Sequence, residues 1–155
     1  MMDKEKIKNL VNDAVSQNPE LFITALDFLS DNKIYVEVDG DHGIPLKECV
    51  RISRAVEHNL DRDEEDFSLE VTSPDVSNPL KNRRQYTKNI NRILNVKLQD
   101  NSTIEGVLIN VTENEIKLEW KAREPKPVGK GKITVVKNTT IPFRNILEAK
   151  VKIIF

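Results

Sequence analysis

The chain has 155 residues, of which 38% are hydrophobic and 32% are charged, and this length suits one ordinary domain or two small ones. It holds no run of about 18 apolar residues, which excludes a transmembrane helix, and its charged N-terminus is unlike a signal peptide. One cysteine and two histidines allow no internal disulfide and are too few for a zinc framework. We therefore expect a cytoplasmic protein.

Charge is distributed unevenly along the chain. Residues 1–80 hold 8 Lys and Arg against 18 Asp and Glu, a net charge of −10, whereas residues 81–155 hold 16 against 7, a net charge of +9. Such asymmetry predicts two modules with different electrostatic partners. A basic module attracts polyanions, of which nucleic acid is the commonest in a cytosol. Two differently charged solvated surfaces would give the same numbers.

The acidic half predicts a small α+β domain. Apolar residues at helical spacing predict a helix over residues 3–17. Strands follow at Leu21–Leu29, in the alternating segment 33–39, and at residues 67–71. A second helix is predicted to begin near Pro45, between the last two strands. Its predicted apolar face consists of Leu46, Cys49, Val50, Ser53, Val56 and Leu60. The predicted arrangement is two helices on a three-stranded sheet.

The basic half predicts a small all-β barrel. A short helical or irregular segment near residues 86–93 is followed by apolar stretches that turn-forming clusters separate. The predicted strands cover residues 94–98, 103–111, 115–120, 133–140 and 149–154, with a longer basic loop at 124–131. Closing five short antiparallel strands into a barrel removes the edges that an open sheet would expose.

A break rich in proline separates the two halves. In the stretch LEVTSPDVSNPL, residues 69–80, the two prolines stand among Ser, Asp and Asn, which favour turns. We predict that Ser73, Pro74 and Pro79 form an interdomain hinge. The acidic domain is then predicted to span residues 1–80 and the basic domain residues 81–155.

Candidate catalytic groups are few. Asp39, Asp41 and His42 lie close together in DGDHG, but they lack the later ligands of a calcium loop, and a strand-to-helix turn has the same composition. Cys49 lies on the predicted apolar face of its helix, where a small buried residue is the usual role. No glycine-rich phosphate loop is present. The sequence therefore predicts no enzyme, no metal and no cofactor, with a metal-dependent enzyme built on the DGDHG turn as the remaining alternative.

Two basic segments are the better candidates for function. One follows the junction, and the other surrounds the predicted loop beside Trp120. Extended basic segments reach phosphates without a preformed pocket, and a neighbouring aromatic ring can stack on a base. Trp120 is either such a ring or a core residue of the barrel. The candidate contact residues are Lys81, Arg83, Arg84, Arg123, Lys126, Lys130 and Lys132.

Three longer stretches carry a family resemblance. They are GIPLKECVRISRAVEHNLD, FSLEVTSPDVSNPL and IPFRNILEAKVKIIF. In order and spacing they resemble the second helix, the domain-closing Ser-Pro turn and the last strand region of the ribosome maturation factor RimP family. The resemblance covers nearly the whole chain. It implies an α+β N-terminal domain followed by an SH3-like small barrel.

The resemblance also implies a function. It implies a non-enzymatic factor that binds the free small ribosomal subunit and assists its late assembly, with a decoding-region ribosomal protein and ribosomal RNA as partners. Asp75 and Asn78 depart from the family's turn, which commonly reads Ser-Pro-Gly with an arginine before the second proline. Nearby Lys81, Arg83 and Arg84 can substitute for that arginine. The alternative is a general RNA-binding regulator that acts through the basic barrel, without the ribosome.

Overall fold

The protein divides into an α+β unit and an all-β unit, as the sequence predicts. The computed structural model describes residues 3–60 and 66–153, and the division falls between Asp75 and Val76. The first unit contains α1 (Lys4–Ser16), β1 (Leu21–Leu29), β2 (Lys33–Gly40), α2 (Leu46–Glu57) and β3 (Ser68–Thr72). The second contains α3 (Arg83–Lys88), β4 (Ile93–Leu98), β5 (Thr103–Val111), β6 (Glu115–Pro125), β7 (Lys132–Pro142), a 3₁₀ turn (Phe143–Asn145) and β8 (Ile146–Val151). No helix within the described ranges is long and apolar enough to cross a membrane.

The sheet of the first unit has β2 at its centre. β1 pairs with it antiparallel and β3 pairs with it parallel. Asp31 and Asn32 both have positive φ, 60° and 56°, which is the conformation of the tight turns that join antiparallel strands. The alternating Ile34, Val36 and Val38 have no exposed surface. Each buried side chain of this size stabilises the fold by roughly 1.5–3 kcal/mol before other costs.

Helix α1 is defined by a cap and an apolar stripe. The Asp3 side chain accepts a hydrogen bond from the Lys6 backbone N–H (3.1 Å), which satisfies one of the donors that a helix start leaves free. The residues it buries are Ile7, Val11, Ala14 and Val15. These contact the inner face of the sheet and α2 in one hydrophobic core.

Helix α2 buries a stripe that overlaps the predicted one only in part. Leu46 and Val50 are 79% and 39% exposed, whereas Ile52, which was left out of the predicted face, is fully buried. The buried stripe is Cys49, Ile52 and Val56. At 100° per residue, this places the helix roughly 60° from the predicted rotation about its axis. Pro45 lies just before the helix in an extended conformation, as its N-cap.

The second unit is a five-stranded antiparallel sheet in the order β7-β6-β5-β4-β8. Its core consists of Tyr86, Leu94, Val96, Leu108, Ile116, Leu118, Ile141 and Ala149. Leu80 packs against this core, and its backbone N–H donates to the Ala149 carbonyl at 2.8 Å. The segment just after Pro79 therefore belongs structurally to the second unit.

Strands β6 and β7 extend beyond the predicted loop boundaries. β6 pairs with β5 only between the Val111–Ile116 pair and the Val107–Glu119 pair. It pairs with β7 along its whole length, from Glu115–Pro142 to Pro125–Lys132. The predicted loop 124–131 is therefore partly strand, and the true tip is residues 126–131. We call residues 120–137 the basic arm: a two-stranded ribbon that leaves the sheet.

The last strand begins three residues earlier than predicted. The 3₁₀ turn at Phe143–Asn145 leads directly into β8, and its pairing with β4 runs from Ile146–Leu98 to Val151–Leu94. The predicted strand end at Ile154 lies outside the described residues. The strand starts early because the turn already delivers Ile146 in an extended conformation.

Candidate functional site

The first basic cluster lies at the start of α3. Asn82 caps this helix by accepting a hydrogen bond from the Arg84 backbone N–H (2.8 Å), and buried Gln85 accepts from the backbone N–H groups of Lys81 (2.7 Å) and Asn82 (3.2 Å). This reciprocal capping box fixes the backbone at the point where the basic residues begin. Lys81 and Arg83 are exposed, and Arg84 is half-buried.

A shallow pocket adjoins this cluster. It has a volume of about 300 Å³ and is lined by Leu80, Lys81, Arg83, Tyr86, Glu113 and Phe143. The Tyr86 and Phe143 rings meet edge to face, with centroids 5.1 Å apart. Burial raises the pKa of Tyr86 to about 12, so this phenol stays protonated and neutral at physiological pH.

The second basic cluster lies on the arm. Residues 120–137 contain six Lys and Arg and one Glu, a net charge of +5. Arg123 donates to the Thr134 hydroxyl (2.9 Å) and to the Lys132 carbonyl (3.3 Å), across the ribbon. Lys137 pairs with Glu124. Within the described residues, the other arm ammonium groups form no ion pair; they belong to Lys121, Lys126, Lys130 and Lys132.

One face of the arm carries most of this charge. Arg123 is in register with Thr134, and Lys121 with Val136, so alternation places Lys121, Arg123 and Lys132 on the same face. All three are exposed, as are Lys126 and Lys130 at the tip. This face can contact several phosphates at once, because its free ammonium groups and its guanidinium point the same way.

The structure does not bring the two clusters together. Lys81 and Arg83 lie beside Glu113 and Phe143, near the Glu115–Pro142 end of the β6–β7 ladder. The tip of the arm lies at the other end of the same ladder. Ten steps of about 3.3 Å separate the two ends, roughly 30 Å. A single ligand that contacted both clusters would therefore have to be large.

A cleft opens where the arm leaves the sheet. Beyond the Val107–Glu119 pair, β5 stays with β4 while β6 continues with β7. The fork between them encloses about 320 Å³ and is lined by Ile93, Glu105, Gly106, Val107, Glu119, Trp120 and Lys121. Trp120 is half-buried: it packs against the core and also lines this fork cleft. No sequence pattern predicts the cleft, although an isolated glycine in a strand, Gly106, is a signal for a close backbone approach.

The predicted hinge residues lie beside the division between the units. Ser73 is exposed, and Pro74 and Pro79 are half-buried. Neither a helix nor a strand includes residues 73–81. The hinge role of the three residues stays a prediction.

The residues of the alternative enzyme site form a turn. Asp39 accepts a hydrogen bond from the Gly40 backbone N–H at 2.8 Å. A Cβ on Gly40 would lie 2.2 Å from the Gly43 carbonyl oxygen, so glycine is required there. Over residues 3–60 and 66–153, no group of three His, Cys, Asp or Glu side chains could hold a metal. Burial raises the pKa of the Cys49 thiol, which is the opposite of what a nucleophile needs.

Comparison with known proteins identifies the family. Residues 11–76 match the RimP N-terminal domain family. The chain is 54% identical over 154 residues to the ribosome maturation factor RimP of Christiangramia forsetii, an alignment that covers 99% of this chain and all of the relative. This chain belongs to the RimP family. It is also 48% identical to the RimP of Flavobacterium psychrophilum, over the full length of both chains. The RimP of Porphyromonas gingivalis is 39% identical, over 96% of this chain and 97% of that protein.

Proposed function

We propose that this protein is a non-catalytic ribosome maturation factor that binds the free small ribosomal subunit in the cytoplasm and assists its late assembly. Family membership supports the maturation role, because full-length relatives carry that name. The observation that carries the proposed mode of action is the basic arm, with a net charge of +5 over residues 120–137. A protruding ribbon with exposed ammonium groups suits contact with the phosphates of ribosomal RNA.

The opposite charges of the two halves suggest that each half contacts a different component of the subunit. The acidic half, with a net charge of −10 over residues 1–80, complements a basic ribosomal protein of the decoding region. The basic half complements ribosomal RNA. Complementary charge steers encounter and fixes register more than it adds affinity, so the two halves together would orient the factor on the subunit.

The proposed action is binding without chemistry. A factor that binds one conformation of an immature subunit better than the alternatives shifts the population toward it, by as much as its differential affinity allows. The two basic clusters, roughly 30 Å apart by the strand rise, are spaced to contact separate features of one large particle. This spacing favours a ribosomal subunit over a short RNA as the ligand.

Sedimentation of a cell lysate tests the proposal. After a sucrose gradient, fractions are blotted for this protein at low and at raised salt. We expect the protein to peak with free small subunits, and to leave them as salt rises. A protein that stays at the top of the gradient with free RNA would instead support the general RNA-binding regulator. A peak with joined ribosomes would contradict binding to the free subunit.

A further inference from the structure

We propose that the fork cleft between β5 and β6 binds one unpaired nucleobase of an RNA strand whose phosphates follow the basic arm. This inference deepens the proposed function and rests on its RNA contact. Charge alone does not locate the RNA contact on the basic unit, and the cleft gives that contact a specific site.

The walls of the cleft suit the flat face of a base. Trp120 lines the cleft, and its contact with the core holds the residue in place. Ile93 and Val107 also line the cleft; they are register partners on β4 and β5, and both are half-buried. Bases stack on aromatic rings whatever their sequence, because every base has a π-face.

The size of the cleft favours a single unstacked base. Its volume of about 320 Å³ is at the low end of the range for small-molecule sites. Gly106 lines it where β5 and β6 approach closely, since a Cβ there would lie 3.0 Å from the Glu119 carbonyl oxygen. A base within a duplex is paired and stacked and cannot enter, so the ligand must be a loop, a bulge or a single strand.

Two carboxylates give the cleft a preference among bases. Glu105 and Glu119 line it. When ionised, a carboxylate accepts hydrogen bonds and donates none. Glu105 pairs with Lys152 at 3.2 Å, whereas the Glu119 carboxylate makes no hydrogen bond or ion pair within the described residues. Adenine, cytosine and guanine carry exocyclic amino donors, and uracil does not. We therefore expect the cleft to bind uracil least well.

Lys121 connects the cleft to the arm. It lines the cleft and also begins the charged face that continues with Arg123 and Lys132. A strand whose base occupies the cleft can therefore place its next phosphates along that face. The net charge of +5 on the arm beside the cleft disfavours a basic peptide as the occupant, and it makes a polyanion the better match.

Trp120 makes the site directly observable, because it is the only tryptophan in the chain. The full-length protein is titrated with three oligonucleotides of equal length: oligoadenylate, oligouridylate and an abasic strand. We expect oligoadenylate to quench Trp120 fluorescence and to bind at least about fivefold more tightly than the abasic strand, as stacking of one base provides. Oligouridylate should fall between the two.

A cleft-filling variant and its matched control test the location. Val107→Phe should abolish the quenching and the preference for bases over the abasic strand, while the dependence on salt stays unchanged. Val50→Phe makes the same change at an exposed position of α2 and should behave as the wild type. If Val107→Phe fails to fold, the wild-type comparison of adenylate with the abasic strand decides alone.

Other outcomes overturn the inference. Equal affinity for adenylate and the abasic strand, without quenching, would mean that binding is electrostatic only. Quenching by an acidic aromatic peptide but not by RNA would make the cleft a protein site. The sedimentation experiment separates the two proposals: base-dependent quenching without association with small subunits would refute the proposed function and leave the base site. Association with small subunits, together with equal affinity for adenylate and the abasic strand, would refute the base site and leave the proposed function.

Discussion

Neutralising the tip of the arm should weaken RNA binding in a way that salt reveals. The double variant Lys126→Gln, Lys130→Gln removes two exposed ammonium groups that make no ion pair within the described residues. Each lysine that contacts a phosphate contributes about 0.7 to the slope of log affinity against log salt on a single strand. Losing two such contacts should lower the slope by about 1.4. Between about 50 and 200 mM salt, the wild type should then lose about sevenfold more affinity than the variant.

Fluorescence anisotropy of a labelled single-stranded RNA, measured over that range of salt, provides the slope. The matched control is Lys97→Gln with Lys150→Gln, which removes the same charge from β4 and β8 of the same unit. The control should keep the wild-type slope. Equal reductions in both double variants would show that net charge matters and contact at the arm does not. An unchanged slope in the arm variant would refute the assignment of these lysines.

Three further predictions concern the second unit, and each uses Trp120 fluorescence during urea unfolding. Gln85→Ala should lower the free energy of unfolding by about 1–3 kcal/mol, because two backbone N–H groups lose their acceptor. Gln85→Glu keeps an acceptor and should keep most of the stability, so equal losses in the two variants would contradict this. Gly106→Ala should lower the free energy of unfolding by about 1–3 kcal/mol, because the added Cβ meets the backbone of β6. An unchanged urea midpoint would contradict that contact. Tyr86 has a raised folded-state pKa of about 12, so the stability it contributes is present below its unfolded pKa of about 10 and is lost as pH rises toward 12. Tyr86→Phe should remove this alkaline loss of up to about 2–3 kcal/mol, whereas parallel pH profiles for wild type and variant would refute it.

Alternation predicted strand β2 but not the burial of its second face. Ile34, Val36 and Val38 alternate with polar residues, and all three are fully buried, as the pattern predicts. Glu37 and Asp39 on the opposite face are buried as well, because β2 is the central strand of its sheet. Helix α2 shows the limit of the same reasoning. Its sequence offers two overlapping apolar stripes, and only packing against α1 and the sheet selects the one with Ile52 over the one with Leu46.

The functional surface was less predictable than the fold. The basic residues can be found by composition, but residues 124–131 of the arm are predicted as a loop because Pro125 and Pro127 stand among turn-forming residues. Proline is tolerated where no ladder hydrogen bond is needed, and Pro125 sits at the end of β6. The separation of the two basic clusters and the fork cleft depend on the register of three strands. That register is set by how the strands pair and by the turns that join them, rather than by the periodicity of any one strand.

The pairing of β4 with β8 also constrains how the protein is made. β4 is flanked by β5 on one side and by the last strand, Ile146–Val151, on the other. The β6–β7 hairpin can form from neighbouring residues as soon as they are synthesised, whereas Leu94 must wait for Val151. Loop closure over such a distance is slow and comes late. The acidic unit can therefore fold while translation proceeds, and the basic unit completes its sheet only after β8 has emerged from the ribosome that is making it.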